Sequence, residues 1–295
     1  MKRTIAPLLL SALLLLSACG STPSRHPSPD APPALPAPPA QSPAQPAPAQ
    51  PDRKDRAEAP EPKPPSGVSG EVPSPVHVEP TPVPTRPEVT WMPRGIGLPL
   101  VPSDPAAADR KVVLLTFDDG PSEWTVPILE TLAQEQVKAV FFITGYGARN
   151  HPELVERIHR EGHTLAVHTM THPNMARLAP ADQRKEIEPL VELIQQVTGQ
   201  KPRYFRPPFG AYDQNLLRLL KEMEMELINW TNGSLDWEGV IDGYKDPHKV
   251  VDDVMRQLHR GAVILFHDTM RHTAEALPVV IQRLRAEGYE FVTLP

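Results

Sequence analysis

Cysteine is almost absent from this chain: Cys19 is the single one in 295 residues. No disulfide can form within one copy, so neither stability nor an oxidising compartment can be argued from cross-links. A sustained Lys/Arg stripe is also missing, and the formal net charge is -6. A nucleic-acid role, which needs a basic footprint, has no support, and an anionic polymer is a less natural partner. No glycine-rich phosphate loop follows the first strand-like run and nothing matches GxxxxGK[ST], which argues against a nucleotide fold. The apolar run near the start is too short and wrongly flanked to span a bilayer.

What the chain does contain is very unevenly spread. Of its 39 prolines, 26 fall between Thr22 and Arg110. Stretches such as "PDAPPALPAPPAQSPAQPAPAQP" cannot bury enough apolar area to offset chain entropy, so residues 20 to 108 are expected to be a disordered linker. Extended at about 3.1 Å per residue, such a linker reaches on the order of 100 Å or more. Ahead of it, "MKRTIAPLLLSALLLLSACG" has the basic start, apolar middle and small residues of an export signal. Its ending, "LSAC", resembles the bacterial lipoprotein box, which implies lipid on Cys19 and a signal peptide of residues 1 to 19. The expected protein is thus an exported, membrane-anchored lipoprotein facing the cell wall or periplasm, with one folded domain over residues 109 to 295.

In that domain, strand-length apolar runs alternate with amphipathic segments. The runs are Lys111 to Thr116, "KAVFFITG", "HTLAVHT", "RYFRPPFG", "MELINWT", "AVILFHD" and "YEFVTL". This alternation predicts an α/β fold of parallel strands joined by crossover helices and covered on both faces. An open doubly wound sheet and a barrel both satisfy it. In either, the polar clusters "DDG", "HTMTH", "RPPFG", "DW" and "HD" lie at the C-terminal ends of the strands, the edge that carries active sites.

The clusters contain the groups a metal-assisted hydrolysis needs. His168 and His172 are four apart, and a helical turn there would place both imidazoles on one face. With Asp119 they would leave open positions on a divalent ion, as catalytic metal sites require. The neighbouring Asp118 is then free to act as a base, kept ionised by a nearby guanidinium, for which Arg206 is the candidate. Pro207 and Pro208 have no N–H, so the first free amides after Arg206, on Phe209 and Gly210, could serve an oxyanion. His267 is a candidate acid and Asp236 would raise its pKa, with Trp237 packed beside them. The remaining histidines, including His163 and His272, are expected at the surface.

Taken in order, "TFDDG", "HTMTH", "RPPFG", "SLDW" and "LFH" resemble the five motifs of the polysaccharide deacetylases, the NodB-like domain of carbohydrate esterase family 4, over Lys111 to Pro295. The resemblance implies a distorted (β/α) barrel with about seven parallel strands and metal-dependent removal of N-acetyl groups from amino sugars. It implies Asp118 as base, Asp119, His168 and His172 as metal ligands, Arg206 orienting the base, and His267 as acid supported by Asp236. It further implies Phe209 as oxyanion donor and Trp237 and Leu265 as pocket walls. Two positions depart from the pattern: Phe209 replaces a frequent tyrosine, and Gly233 stands where DxxDW has its first Asp.

One divalent ion is expected, zinc first, with cobalt, nickel, manganese or iron also accommodated by such ligands. The expected partner is an N-acetylated glycan polymer of the cell envelope, foremost peptidoglycan, handled by a monomer. The alternatives are chitin oligomers, an exopolysaccharide, or a glycan-binding lipoprotein without turnover.

Overall fold

The computed structural model describes residues 89 to 295, so the signal peptide, Cys19 and most of the proline-rich segment lie outside the described residues. Two short strands, β1 (Trp91–Pro93) and β2 (Leu100–Pro102), pair as an antiparallel hairpin. They are followed by β3 (Val112–Asp118), α1 (Thr125–Gln134), β4 (Val140–Ile143), α2 (Gly145–Asn150), α3 (Pro152–Arg160) and β5 (Thr164–Val167). Next come α4 (Pro180–Thr198), β6 (Tyr204–Phe205), α5 (Gln214–Glu222), β7 (Glu226–Leu227) and β8 (Asn232–Gly233). The last elements are α6 (Pro247–Arg256), β9 (Ala262–His267), α7 (Arg271–Ala286) and β10 (Glu290–Phe291).

The main sheet runs β7-β6-β5-β4-β3-β9-β8, with β10 on the flank of β3, and every pairing in it is parallel. The seven strands of the path curl into the distorted α/β barrel that the family resemblance implied, and not the open doubly wound sheet that the alternation also allowed. One stretch does double duty in the curl. The run expected as a single strand, "MELINWT", pairs with β6 at Glu226 and Leu227, and its continuation at Asn232 and Gly233 pairs with β9. A crossover helix is unnecessary there because the chain bridges the two ends of the path instead of returning beside its own start.

β3 shows how the sequence builds both layers. All seven of its residues are buried. Because side chains alternate, Val113, Leu115 and Phe117 face one way, into a core shared with Ile128 and Leu129 of α1 and Leu277 and Val280 of α7. Phe117 stacks there between Phe141 and Phe266, with ring centroids 5.0 and 5.6 Å away. Val112 and Leu114 face the other way, into a second core with Phe142, Ala166, Tyr204 and Val263. Further along this inner face the residues turn polar, at Thr116 and Asp118, and that change marks the floor of a site.

The folded part also begins earlier than the expected boundary at 109. Trp91, Leu100 and Ala107 are buried in the inner core, and the Leu100 N–H donates to the Gly261 carbonyl at 2.8 Å. Composition hid this hairpin, because Pro93, Pro99 and Pro102 continue the proline-rich style of the linker. A two-stranded edge tolerates proline, having N–H groups that no neighbour needs.

Candidate active site

Asp118 is the last residue of β3 and sits in register with His267, the last of β9. Two neighbouring strand ends therefore deliver the two groups expected to move protons. Asp118 is 2% exposed and Arg206 is fully buried, and the guanidinium Nη1 donates to Asp118 Oδ1 at 2.7 Å and to Thr116 Oγ1 at 2.8 Å. Arg206 Nε donates to the Ile228 carbonyl at 2.9 Å, and its carbon lies 4.1 Å from the centre of the Phe142 ring. A guanidinium locked by three acceptors and an aromatic face fixes one carboxylate oxygen of Asp118 and leaves Oδ2 to the site.

The chain turns sharply after β3, with Asp119 at a φ of 75°. The "HTMTH" loop is not the helical turn expected from its spacing. Thr169 and His172 have φ of 79° and 60°, and those left-handed residues reverse the loop so that both imidazoles face Asp119. The loop is pinned from α4, where Glu186 accepts from the Thr171 amide and hydroxyl, both at 2.8 Å. Phe209 has a φ of 60° as well, so left-handed non-glycine residues gather around His172, which Phe209 meets edge-on and whose N–H donates to Thr169 Oγ1. Such strain persists only where surrounding contacts hold it.

Asp119 Oδ1 lies 3.3 Å from His168 Nε2 and 3.1 Å from His172 Nε2. His168 Nδ1 is 2.8 Å from the Arg206 carbonyl, which requires the proton on Nδ1 and turns the Nε2 lone pair to the centre. Asp119 Oδ1 is buried without a hydrogen-bond partner, and one donor atom from each of the three residues lies within 4.8 Å of the others. An orphaned carboxylate oxygen facing two imidazole nitrogens is what a divalent cation would satisfy. Burial alone would raise the Asp119 pKa, but the two facing imidazoles and the charge on His267 carry it well below the usual carboxylate range. The donor set thus suits a divalent cation; the identity of the ion is not a property of this geometry.

On the opposite side, His267 Nδ1 is 2.8 Å from Asp236 Oδ1, and its backbone N–H donates to Asp236 Oδ2 at 2.8 Å. Asp236 is fully buried, and Thr273 Oγ1 also donates to Oδ2 at 2.6 Å. Burial lowers the His267 pKa, but the Asp236 charge and bond outweigh it and push the value up to about 10. Trp237 meets the His267 ring edge-on at 5.2 Å. Leu265, two residues before His267 on the same face of β9, is buried below it.

The two open questions of the third and fourth motifs resolve locally. Gly210 N–H donates to the Pro207 carbonyl at 3.0 Å, whereas Phe209 N–H has no acceptor among the described residues. The Phe209 ring packs edge-on against His172 at 4.8 Å, a contact that needs no phenolic hydroxyl. At Gly233 an added Cβ would lie 3.4 Å from the Trp237 ring and 3.3 Å from Leu235. The glycine leaves room under Trp237, and the Gln257 side chain bonds its N–H and carbonyl at 3.3 and 2.7 Å.

Several supporting groups were not legible beforehand. His272 and His163, expected at the surface, are buried. His272 Nε2 is 2.8 Å from the Asp236 carbonyl. Lys245 is 6% exposed, and its ammonium donates to the Leu235 carbonyl at 2.6 Å and to Asp253 Oδ2 at 2.8 Å. Leu235 has a φ of 53°, so the lysine clamps the strained residue immediately before Asp236. Lys245→Met should cost about 2 kcal/mol of stability in denaturant melts, since a nearly buried acceptor pair loses its donor. The pH profile of turnover should shift along with it, as the Asp236 loop relaxes. An unchanged melt would show that the clamp is unimportant.

A parallel barrel with an Asp-His-His cluster between an arginine-held carboxylate and a carboxylate-held imidazole defines a metal-dependent hydrolase. Residues 106–228 match the polysaccharide deacetylase family. A peptidoglycan-N-acetylglucosamine deacetylase of Bacillus cereus is 36% identical over 192 residues, covering 63% of this chain and 68% of the relative. The peptidoglycan-N-acetylmuramic acid deacetylase PdaA of Bacillus subtilis is 30% identical over 187 residues, covering 63% and 70%. The crystal structure of the Bc1960 peptidoglycan N-acetylglucosamine deacetylase, in complex with a hydroxamate-type ligand, superposes with a TM-score of 0.60 at 35% identity, over 63% of this chain and 87% of that one. The chain belongs to the polysaccharide deacetylases of carbohydrate esterase family 4.

Proposed function

We propose that the protein hydrolyses N-acetyl groups from the amino sugars of peptidoglycan, releasing acetate. The observation that carries this reading is the pairing across the barrel mouth of Asp118, held by Arg206 at 2.7 Å, with His267, held by Asp236 at 2.8 Å. Asp119, His168 and His172 would hold a divalent ion, zinc being the first expectation for such ligand types, which when bound supplies Lewis acidity to the amide carbonyl and lowers the pKa of water. Asp118 Oδ2 takes a proton from the attacking water, while the bond from Arg206 to Oδ1 holds the carboxylate oriented. As oxygen adds to the carbonyl carbon, the Phe209 N–H donates to the developing oxyanion. His267, protonated through Asp236, gives its Nε2 proton to the departing nitrogen as the C–N bond breaks. Acetate and a free amine result. Trp237 and Leu265 enclose the acetyl methyl.

The test strips the purified protein with chelator, restores zinc, cobalt, nickel, manganese or iron singly, and measures acetate from peptidoglycan, chitin oligomers and an exopolysaccharide. Peptidoglycan turnover restored by one or more ions is expected. Binding without acetate release on all three would establish the non-catalytic alternative.

We also propose that the chain is anchored by lipid on Cys19 and works at the cell wall, the proline-rich segment being the spacer. The support is sequence alone, since both lie outside the described residues; among these no helix is long and apolar enough to cross a membrane. Cys19→Ser should move the protein from the membrane fraction to the soluble fraction with its specific activity intact. Membrane retention of the variant would remove the anchor from the account.

A further inference from the structure

A feature that the sequence pattern missed stands directly beside the metal cluster. The six-residue helix α2, directly after β4, is held against both loops that carry the cluster. A Cβ on Gly147 would lie 2.3 Å from the Gly120 carbonyl oxygen, and one on Gly145 would lie 2.3 Å from the Met170 side chain. Only glycine permits this approach. Thr144 completes the attachment: its hydroxyl donates to the Asp119 carbonyl at 3.0 Å and accepts from the Gly147 N–H at 3.1 Å. The outer face of α2 is therefore fixed in place relative to Asp119 and His172.

That outer face carries chemistry with no structural employment. Tyr146 is 74% exposed, and Arg149, three residues on and hence on the same side of the helix, is also exposed. Among the described residues Arg149 makes no ion pair and its side chain no hydrogen bond. Both residues, with Asn150 and Thr171, line a cavity of about 450 Å³ whose inner wall is Asp119 and His172. An exposed aromatic ring offers a flat apolar surface to the C–H face of a sugar, and a free guanidinium offers a two-pronged donor for a carboxylate. The rigidity of the mount matters, because a preorganised donor loses less entropy on binding than a floppy one.

We propose that the outer face of α2 is a glycan subsite in which Tyr146 stacks on the sugar next to the one being deacetylated and Arg149 pairs with a carboxylate on the glycan. The substrate class this selects is an N-acetylated glycan bearing carboxylates, over a neutral one. The inference rests on the deacetylase reading above. The net charge of the whole chain is negative, so the attraction is local, reading one carboxylate beside the site and not a polyanion. In peptidoglycan two sources offer that chemistry, the lactyl group of a muramic residue and the stem peptide.

The test compares kcat/KM, by acetate release, for wild type, Tyr146→Ala and Arg149→Gln. The substrates are peptide-free peptidoglycan fragments with free lactyl carboxylates, the same fragments with those groups amidated, and fragments retaining the stem peptide with its carboxylates free or amidated. Wild type is expected to prefer a free-carboxylate form over its amidated partner by about tenfold, the scale of one charge-assisted bond. The peptide-free and peptide-bearing pairs tell which carboxylate is read. Arg149→Gln should bring the ratio near one, and Tyr146→Ala should raise KM on every fragment about tenfold with kcat little altered. A wild type indifferent to amidation in both pairs, or an Arg149→Gln enzyme that keeps the preference, overturns the subsite while leaving the deacetylase reading standing. A wild type that releases no acetate from any fragment fails at the earlier step and overturns both.

Discussion

Asp118→Asn should lower acetate release by about a thousandfold, within the range for loss of a general base, while the protein still takes up its metal. The asparagine has nearly the same shape and can accept the Arg206 bond, but it cannot take a proton from water. Metal content should persist because Asp119, His168 and His172 are untouched. The substitution also strips a fully buried guanidinium of its counter-charge, and removal of one partner from such a pair costs about 3 kcal/mol. Three readings therefore separate the roles: metal analysis near wild type, a lowered but cooperative thermal transition, and nearly absent turnover. Turnover within tenfold of wild type would remove Asp118 from the position of base.

The second large effect is expected at Asp236. With the carboxylate in place, His267 is raised from an ordinary value near 6.5 to about 10. The folded protein therefore holds a proton on His267 that the unfolded chain releases between those values. The stabilisation from this pair is complete below about pH 6.5 and is lost as pH rises through the folded value. A cation held by Asp119, whose Oδ2 is 3.9 Å from His267 Nε2, would oppose the rise. In Asp236→Asn the anion is gone and burial remains, and burial lowers the histidine pKa. The alkaline limb of kcat/KM should move several units toward acid, and activity at pH 7.5 should fall about a hundredfold. Partial recovery as the pH is lowered is the signature that separates lost protonation from lost structure. An alkaline limb in the same place would exclude His267 as the group that titrates there.

How far the site was legible in the sequence varied with the range of the contact. Asp118 and Asp119 sit at a strand end, where the periodicity of an apolar run and the Gly-Pro that stops it announce the geometry. The five motifs likewise lay at strand ends because parallel strands put all their C-terminal ends on one edge. The spacing of His168 and His172 was misleading: the same four-residue separation arises from a helical turn and from a loop reversed by left-handed residues, and only the Glu186 bonds from α4 decide for the loop. Lys245, ten residues beyond the carbonyl it holds, and His272, thirty-six beyond Asp236, carried no local mark. The helix α2 was invisible because six residues with two glycines have poor helical propensity; its stability comes from close packing onto the Gly120 turn and the Met170 loop.

By itself the sequence determined the layered α/β arrangement, the edge of the sheet that does chemistry, and the residue types present there, since each follows from local periodicity and from the order of elements. The tertiary structure alone decided the contacts that turn those groups into a site: which oxygen of Asp118 Arg206 holds, the left-handed loop that faces His172 to Asp119, the Lys245 clamp behind Asp236, and α2 beside the Asp119, His168 and His172 cluster. The contacts of His267 with Asp236 and of Arg206 with Asp118 join residues 31 and 88 positions apart in the chain. Distances of that kind are set by the curvature and register of the sheet, which no short stretch of sequence encodes.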